Sequence, residues 1–188
     1  MSSSIEKYIG VAAGVLISVS QLSYIVHTLQ KKITPSVLSW FGWGCLMGTS
    51  LVSQVIGKGW QWSLASILCS SVGCMVIVVF ALLKKNYAFH RQDLWFAGIG
   101  FLCVLIYLGS DSAWITTVFA ILADAALAIP TFRKAWHDPA SERSYAWILA
   151  GLSATFSLLI CWHHDIIYAL FPAYLFVFNG TMIWLTRS

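Results

Sequence analysis

Long, continuously apolar stretches separated by short polar breaks dominate the chain. Seven can be marked, over residues 8–29, 37–56, 62–83, 94–108, 114–129, 145–162 and 166–185, the fourth being the shortest. An α-helix needs ~20 apolar residues to cross the hydrocarbon core of a bilayer, and most of the seven runs are of that order. Barrel strands would alternate lipid-facing and lumen-facing residues over about ten positions, and no such alternation is present. The pattern therefore predicts an all-α membrane protein of seven transmembrane helices. The first run is too long for the apolar region of a signal peptide and follows Glu6, so it reads as a retained span. The connections are short, which confines function to the membrane and its two faces.

The polar positions inside the runs carry an internal repeat. A shift of 103 residues lays the first run on the fifth, so that Gly14, Gln21 and Thr28 meet Thr117, Asp124 and Thr131, and His27 meets Pro130. Residues spaced by seven share one helix face. At an offset of 107, Trp40 meets Trp147, Gly44 meets Gly151 and Ser50 meets Ser157; at 106, Ser66 meets Pro172 and Gly73 meets Asn179. Three consecutive helices thus recur after one intervening helix. The expected organisation is a first triple-helix bundle over 5–83, a linker helix over 84–112 and a second bundle over 113–188. A single linker span gives both bundles the same orientation, so they are parallel repeats about an axis along the membrane normal.

Composition and charge add the orientation. Of 188 residues, 59% are apolar and 10% charged, against about 25% charged in soluble domains. Lys31, Lys32, Lys84, Lys85, Arg91, Arg133, Lys134, Arg143 and Arg187 fall on one side of a seven-span topology, and only Lys7 and Lys58 on the other. Basic residues of short loops stay in the cytoplasm, which puts the N-terminus outside and the C-terminus inside, in a plasma (inner) membrane. The net charge of +4 is accounted for by topology, with no nucleic-acid partner. Trp60, Trp62, Trp114 and Trp162 are placed at the outer interface and Trp136 and Trp184 at the inner one, as an aromatic belt. The five cysteines lie inside spans without ligand spacing and read as packing residues.

With the repeat in view, the chain resembles the SWEET and PQ-loop superfamily, which is built as three helices, a linker and three helices with an outward N-terminus. The loop motif of that superfamily is a Pro-Gln pair followed by a basic residue at the inner end of the first helix of each half. Here the second copy reads Pro130, Thr131, Phe132, Arg133, Lys134 and the first His27, Thr28, Leu29, Gln30, Lys31, so the Gln is absent from both copies and the Pro from one. Asp124, Pro130, Lys134, Pro139, Glu142 and Trp147 together resemble the same segment of small bacterial seven-helix proteins. The resemblance implies a solute transporter working by alternating access, with substrate near the midplane between the bundles.

The residues offer candidates for such a site. Asp124 is the only carboxylate within a span, where insertion costs about 2.5 to 3.5 kcal/mol, so it is expected to face the bundle interior. Its repeat mate Gln21 is expected across the pseudo-axis at the same depth. The pair either floors a polar cavity or bonds directly to hold the halves together. Asn179 is the third polar candidate; the resemblance implies a substrate contact for an Asn in this helix, and an interhelical hydrogen bond is the alternative. Trp40, Trp43 and Trp147 lie deeper than the belt and either stack on a planar or sugar-like ligand or pack the core; Tyr24 and Tyr174 are similar candidates of lower rank. His27, Pro130 and Pro172 are candidate gate or hinge positions. Gly10 with Gly14 and Gly44 with Gly48 form GxxxG pairs suited to close helix packing. His163, His164 and Asp165 carry zinc-ligand chemistry but read as a solvated loop.

No catalytic constellation, phosphate-binding glycine loop or mid-span lysine is visible, so neither an enzyme nor a cofactor is expected. Two functions remain. One is a transporter of a small polar solute, sugar-, vitamin- or amino-acid-like. The other is a non-transporting membrane receptor or assembly protein on the same fold, favoured if the polar side chains pair with one another and leave no wet cavity. The expected partners are the small-molecule solute and the lipid bilayer, and a homo-oligomer stays open.

Overall fold

The computed structural model describes residues 3–58, 64–161 and 166–187. The expectations for Trp60, Trp62, Trp162, His163, His164 and Asp165 fall outside them. The described residues form seven α-helices: α1 (Ser3–Leu29), α2 (Val37–Lys58), α3 (Leu64–Leu83), α4 (Asp93–Leu108), α5 (Ala113–His137), α6 (Ala146–Cys161) and α7 (Ile166–Leu185). A short 3-10 turn, Pro139–Glu142, precedes α6. Three helices are long and apolar enough to cross a membrane, over Ser4–Leu29, Leu64–Leu83 and Trp114–His137; the others contain shorter apolar stretches. At 1.5 Å per residue, the 20 residues of α3 cover ~30 Å.

Two boundaries differ from the hydrophobic pattern. α1 begins earlier than residue 8, because the polar residues around Glu6 continue the helix. α5 runs through Pro130 to His137, eight residues past the end of its apolar run. A proline inside a helix removes one backbone donor. Helix-favouring alanines on both sides carry α5 through, and Ala123, Ala126, Ala128 and Ala135 are all buried against neighbouring helices.

Helix packing has a paired pattern. α3 stands between α1 and α2, and α7 packs against both α5 and α6; across the two sets, α1 packs on α6 and α2 on α5. Exchanging α1 with α5, α2 with α6 and α3 with α7 maps this set of neighbours onto itself. α4 lies outside the exchange, against α5 and α2. Close approach is made where the side chain is missing. A Cβ added at Gly14 would lie 3.6 Å from the backbone of Ala65, one at Gly44 would press on Met75, and one at Gly42 would collide with Leu127. Small residues at such crossings allow van der Waals contact between helices that have no hydrophobic drive to associate in lipid.

α1 and α3 end alike. Lys31 and Lys85 adopt left-handed backbone at φ 56° and 49°. The following amides, of Lys32 and Asn86, bond back to the carbonyls of His27 and Ala81. Both ends are Schellman caps, a geometry usually taken by glycine.

Candidate functional site

Trp40 in the first turn of α2 and Trp147 in the first turn of α6, mates in the sequence offsets, meet with ring centroids 6.1 Å apart. Around them Tyr24, Trp43 and Phe178 complete one aromatic cluster: Tyr24 lies 4.4 Å from Trp40, Trp43 lies 5.3 Å from Trp40, and Phe178 lies 5.9 Å from Trp147. All five are buried. The rings come from α1, α2, α6 and α7, so the cluster fills the boundary between the two repeats. Trp40 meets Trp43 edge-on and Trp147 at a tilt, and Trp43 and Trp147 both meet Phe178 edge-on, as in a packed core.

Polar candidates also turn inward, but each is held within its own half. Gln21, 5% exposed, donates from Nε2 to the Ser70 carbonyl at 2.9 Å and to Cys74 Sγ at 3.5 Å, both on α3. It is admitted because Gly73 has no side chain; a Cβ there would overlap the Gln21 amide. Asp124, 2% exposed, accepts a 2.8 Å hydrogen bond at Oδ2 from the Tyr174 hydroxyl of α7. The direct Gln21 to Asp124 bond is therefore replaced by two separate ties to the third helix of each repeat. Cys74 lies close enough to Asp124 to feel its charge. Asn179 is spent locally, donating to the Leu175 carbonyl one turn back at 2.7 Å, with its Cβ against Gly151. One link crosses the boundary here, from Trp43 Nε1 to the Asp124 carbonyl at 3.4 Å.

A second network, at the basic end, escaped the sequence reading. Glu142 in the 3-10 turn is fully buried. Its Oε1 lies 2.6 Å from the Lys134 ammonium, which is 13% exposed. Oε2 accepts from the Tyr24 hydroxyl at 2.6 Å, and that hydroxyl accepts from Trp40 Nε1 at 3.2 Å. Trp147 Nε1 donates to the Glu142 carbonyl at 2.9 Å. Burial pushes the Glu142 carboxyl up from its ordinary value, against the opposing pull of the Lys134 ammonium and the Tyr24 hydrogen bond.

Further bonds sew the same end together. Lys134 Nζ also donates to the Thr34 carbonyl, and the Thr34 amide donates to the Ser141 carbonyl at 2.9 Å. His27 Nδ1 lies 3.0 Å from Ser144 Oγ, and Ser20 Oγ donates to the Ala146 carbonyl at 2.7 Å. Asn86, from the connection after α3, donates to the carbonyls of Thr28 and Ile33. Arg133 reaches Asp93 at the start of α4 at 3.7 Å. The α1–α2, α3–α4 and α5–α6 connections thus form one plug, and most basic residues of the chain lie on it or beside it. Of the hinge candidates, Pro130 is buried in α5 one turn before Lys134, while Pro172 is half-buried one turn before Phe176 in α7. Beside Pro130, the hydroxyl of Thr131 is fully buried with no hydrogen-bond partner among the described residues.

Two grooves open on the helix surface. One, of about 750 Å³, is lined by Gly44, Gly48, Ser71 and Met75 with Leu108; the other, of about 420 Å³, by Arg133, Trp136, Thr181 and Trp184. Among the described residues no group of three or more metal-ligating side chains occurs. No protein-family model matches the chain, and neither a curated protein nor a solved structure matches it.

Proposed function

We propose that all seven helices cross the membrane as two triplets joined by α4, with the N-terminus outside, and that the protein carries a small polar solute by alternating opening of the two triplets. The exchange symmetry of the helix packing and the gathering of basic loops at one end support this arrangement. So does the resemblance of the repeat to the SWEET and PQ-loop superfamily.

The observation that carries the proposal is the chemistry of the tie at the basic end. The halves are joined there by the Tyr24 hydroxyl, which bonds Glu142, and by Thr34, which accepts from Lys134 and donates to Ser141; the buried Lys134–Glu142 ion pair lies within the second half and fixes the acceptor that Tyr24 meets. Apolar side chains of similar volume would hold two helices together as well or better. A polar network of strict geometry is instead made or lost as a unit, which suits a gate with two states. In this reading the inner gate is shut, His27 and Ser144 lie on its two sides, and the rings between the halves are in their collapsed packing.

Reconstitution into proteoliposomes tests the proposal through uptake of a panel of small polar solutes, with protein-free liposomes as the baseline. Saturable uptake of at least one solute is expected; a panel that yields none contradicts transport. The filled boundary favours a second reading, since Trp40, Trp43, Trp147 and Phe178 pack against one another across it. A non-transporting membrane receptor or assembly protein would keep that packing permanently.

A further inference from the structure

Two carboxylates are buried at or near the boundary between the halves, and the protein treats them differently. Glu142 receives an ammonium of the chain itself. Asp124 receives none: its side chain meets the Tyr174 hydroxyl, and among the described residues no Lys, Arg or His forms an ion pair with it. A buried charge without a partner is costly, and such a carboxylate is neutralised by a proton or by a cation from outside.

The surroundings of Asp124 choose between chemistries. Trp43 donates to its carbonyl, Tyr174 bonds its carboxylate, and Phe178 packs against both rings, with centroids 5.6 Å from Trp43 and 6.2 Å from Tyr174. Polar groups that would recognise a neutral solute are already engaged. The amide nitrogens of Gln21 and Asn179 donate to backbone carbonyls, and the indole N–H groups of Trp40 and Trp147 serve the Glu142 network. What is left is a carboxyl group with no cationic partner, set among aromatic rings. Those are the two elements that recognise an organic ammonium or guanidinium group: charge pairing with the carboxylate and cation–π attraction within about 6 Å of a ring centroid.

We infer that Asp124, Trp43, Tyr174 and Phe178 form a binding site for an organic cation, closed on itself in this state. Trp43 belongs to the first half and the other three to the second, so parting the halves draws Trp43 from the carboxylate and uncovers the rings. The inference rests on the transport reading for its access route, while its chemistry stands on the side chains alone. An anion is repelled by Asp124.

Binding to the purified protein in nanodiscs, followed by tryptophan fluorescence and calorimetry, tests it with two matched pairs. Choline is set against its uncharged isostere dimethylbutanol, and arginine against citrulline. At least one cation is expected to bind at least about tenfold more tightly than the counterpart that lacks its quaternary-ammonium or guanidinium charge. Asp124→Asn should abolish that preference while Asp124→Glu retains it, and Trp43→Phe should weaken it less than Trp43→Leu, following ring strength. No preference for either cation in the parent protein, or a preference that survives in a folded Asp124→Asn, overturns the site. Cation binding without solute flux in liposomes would leave the site standing and remove the transport reading. Flux of a solute that neither cation inhibits would do the reverse.

Discussion

Replacing Tyr24 with phenylalanine takes one oxygen out of the middle of the plug and leaves the ring that packs 4.4 Å from Trp40 in place. That oxygen makes two contacts, a 2.6 Å bond to the Glu142 carboxylate and a 3.2 Å bond from the Trp40 indole. A hydrogen bond to a charged group contributes about 1.5 to 3 kcal/mol, and a buried donor left without an acceptor costs about 1 to 3 kcal/mol. The two losses share one atom and overlap, so the closed state should weaken by roughly 2 to 4 kcal/mol. At 1.4 kcal/mol per factor of ten, the closed-to-open ratio falls about 30-fold or more. Cys74 reports it. Its thiol is 3% exposed and faces the boundary beside Gln21 and Asp124. In a variant whose other four cysteines are replaced by alanine, the rate of Cys74 alkylation by N-ethylmaleimide should rise about as much in Tyr24→Phe, because slow labelling follows the open population. A lower melting temperature with unchanged Cys74 labelling would mean that Tyr24 only stabilises the fold, and the gate reasoning would fail.

Three other outcomes are expected. The folded-state carboxyl of Glu142 is raised above its ordinary value, so the stability it contributes is present at low pH and is lost as pH climbs from its unfolded value of about 4.5 toward the folded one. Glu142→Gln should remove that fall from the melting profile, and an unchanged profile would show that another group produces it. Gly73→Ala should push Gln21 off Ser70 and Cys74 and destabilise the protein by about 1 to 3 kcal/mol in chemical denaturation, whereas the same change at Gly180, where an added Cβ meets nothing within 4 Å, should be near neutral. A cysteine in place of Ser4 should react with a membrane-impermeant reagent only from outside the cell; reaction only from the cytoplasm would reverse the orientation.

Much of this arrangement could be read from local pattern. Repeat offsets paired Trp40 with Trp147, and the two rings meet; Gln21 and Asp124 were expected inside, and both are buried. The short fourth run is a 16-residue helix packed on α5 and α2. Partner identity was less legible. Gln21 turns to α3 because Gly73 leaves room there, a fact of three-dimensional packing that spacing along one helix does not express. Glu142 sits in a loop with no apolar periodicity, and its partner Tyr24 is 118 residues away, so neither carried a local sign of pairing. The only available signal was the cluster of Lys134, Pro139 and Glu142 shortly after a helix end.

The most direct test follows distances at both ends of the bundle by double electron–electron resonance in proteoliposomes. Spin labels at Lys32 and Asp138 report the basic end, and labels at Ser4 and Ser112 report the opposite end; all four positions are exposed. If the halves alternate, each pair should give two distance populations, and Tyr24→Phe should lengthen the Lys32 to Asp138 distance while shortening the Ser4 to Ser112 distance. A single unchanged distance at each end, in the parent and in Tyr24→Phe alike, would contradict alternating opening.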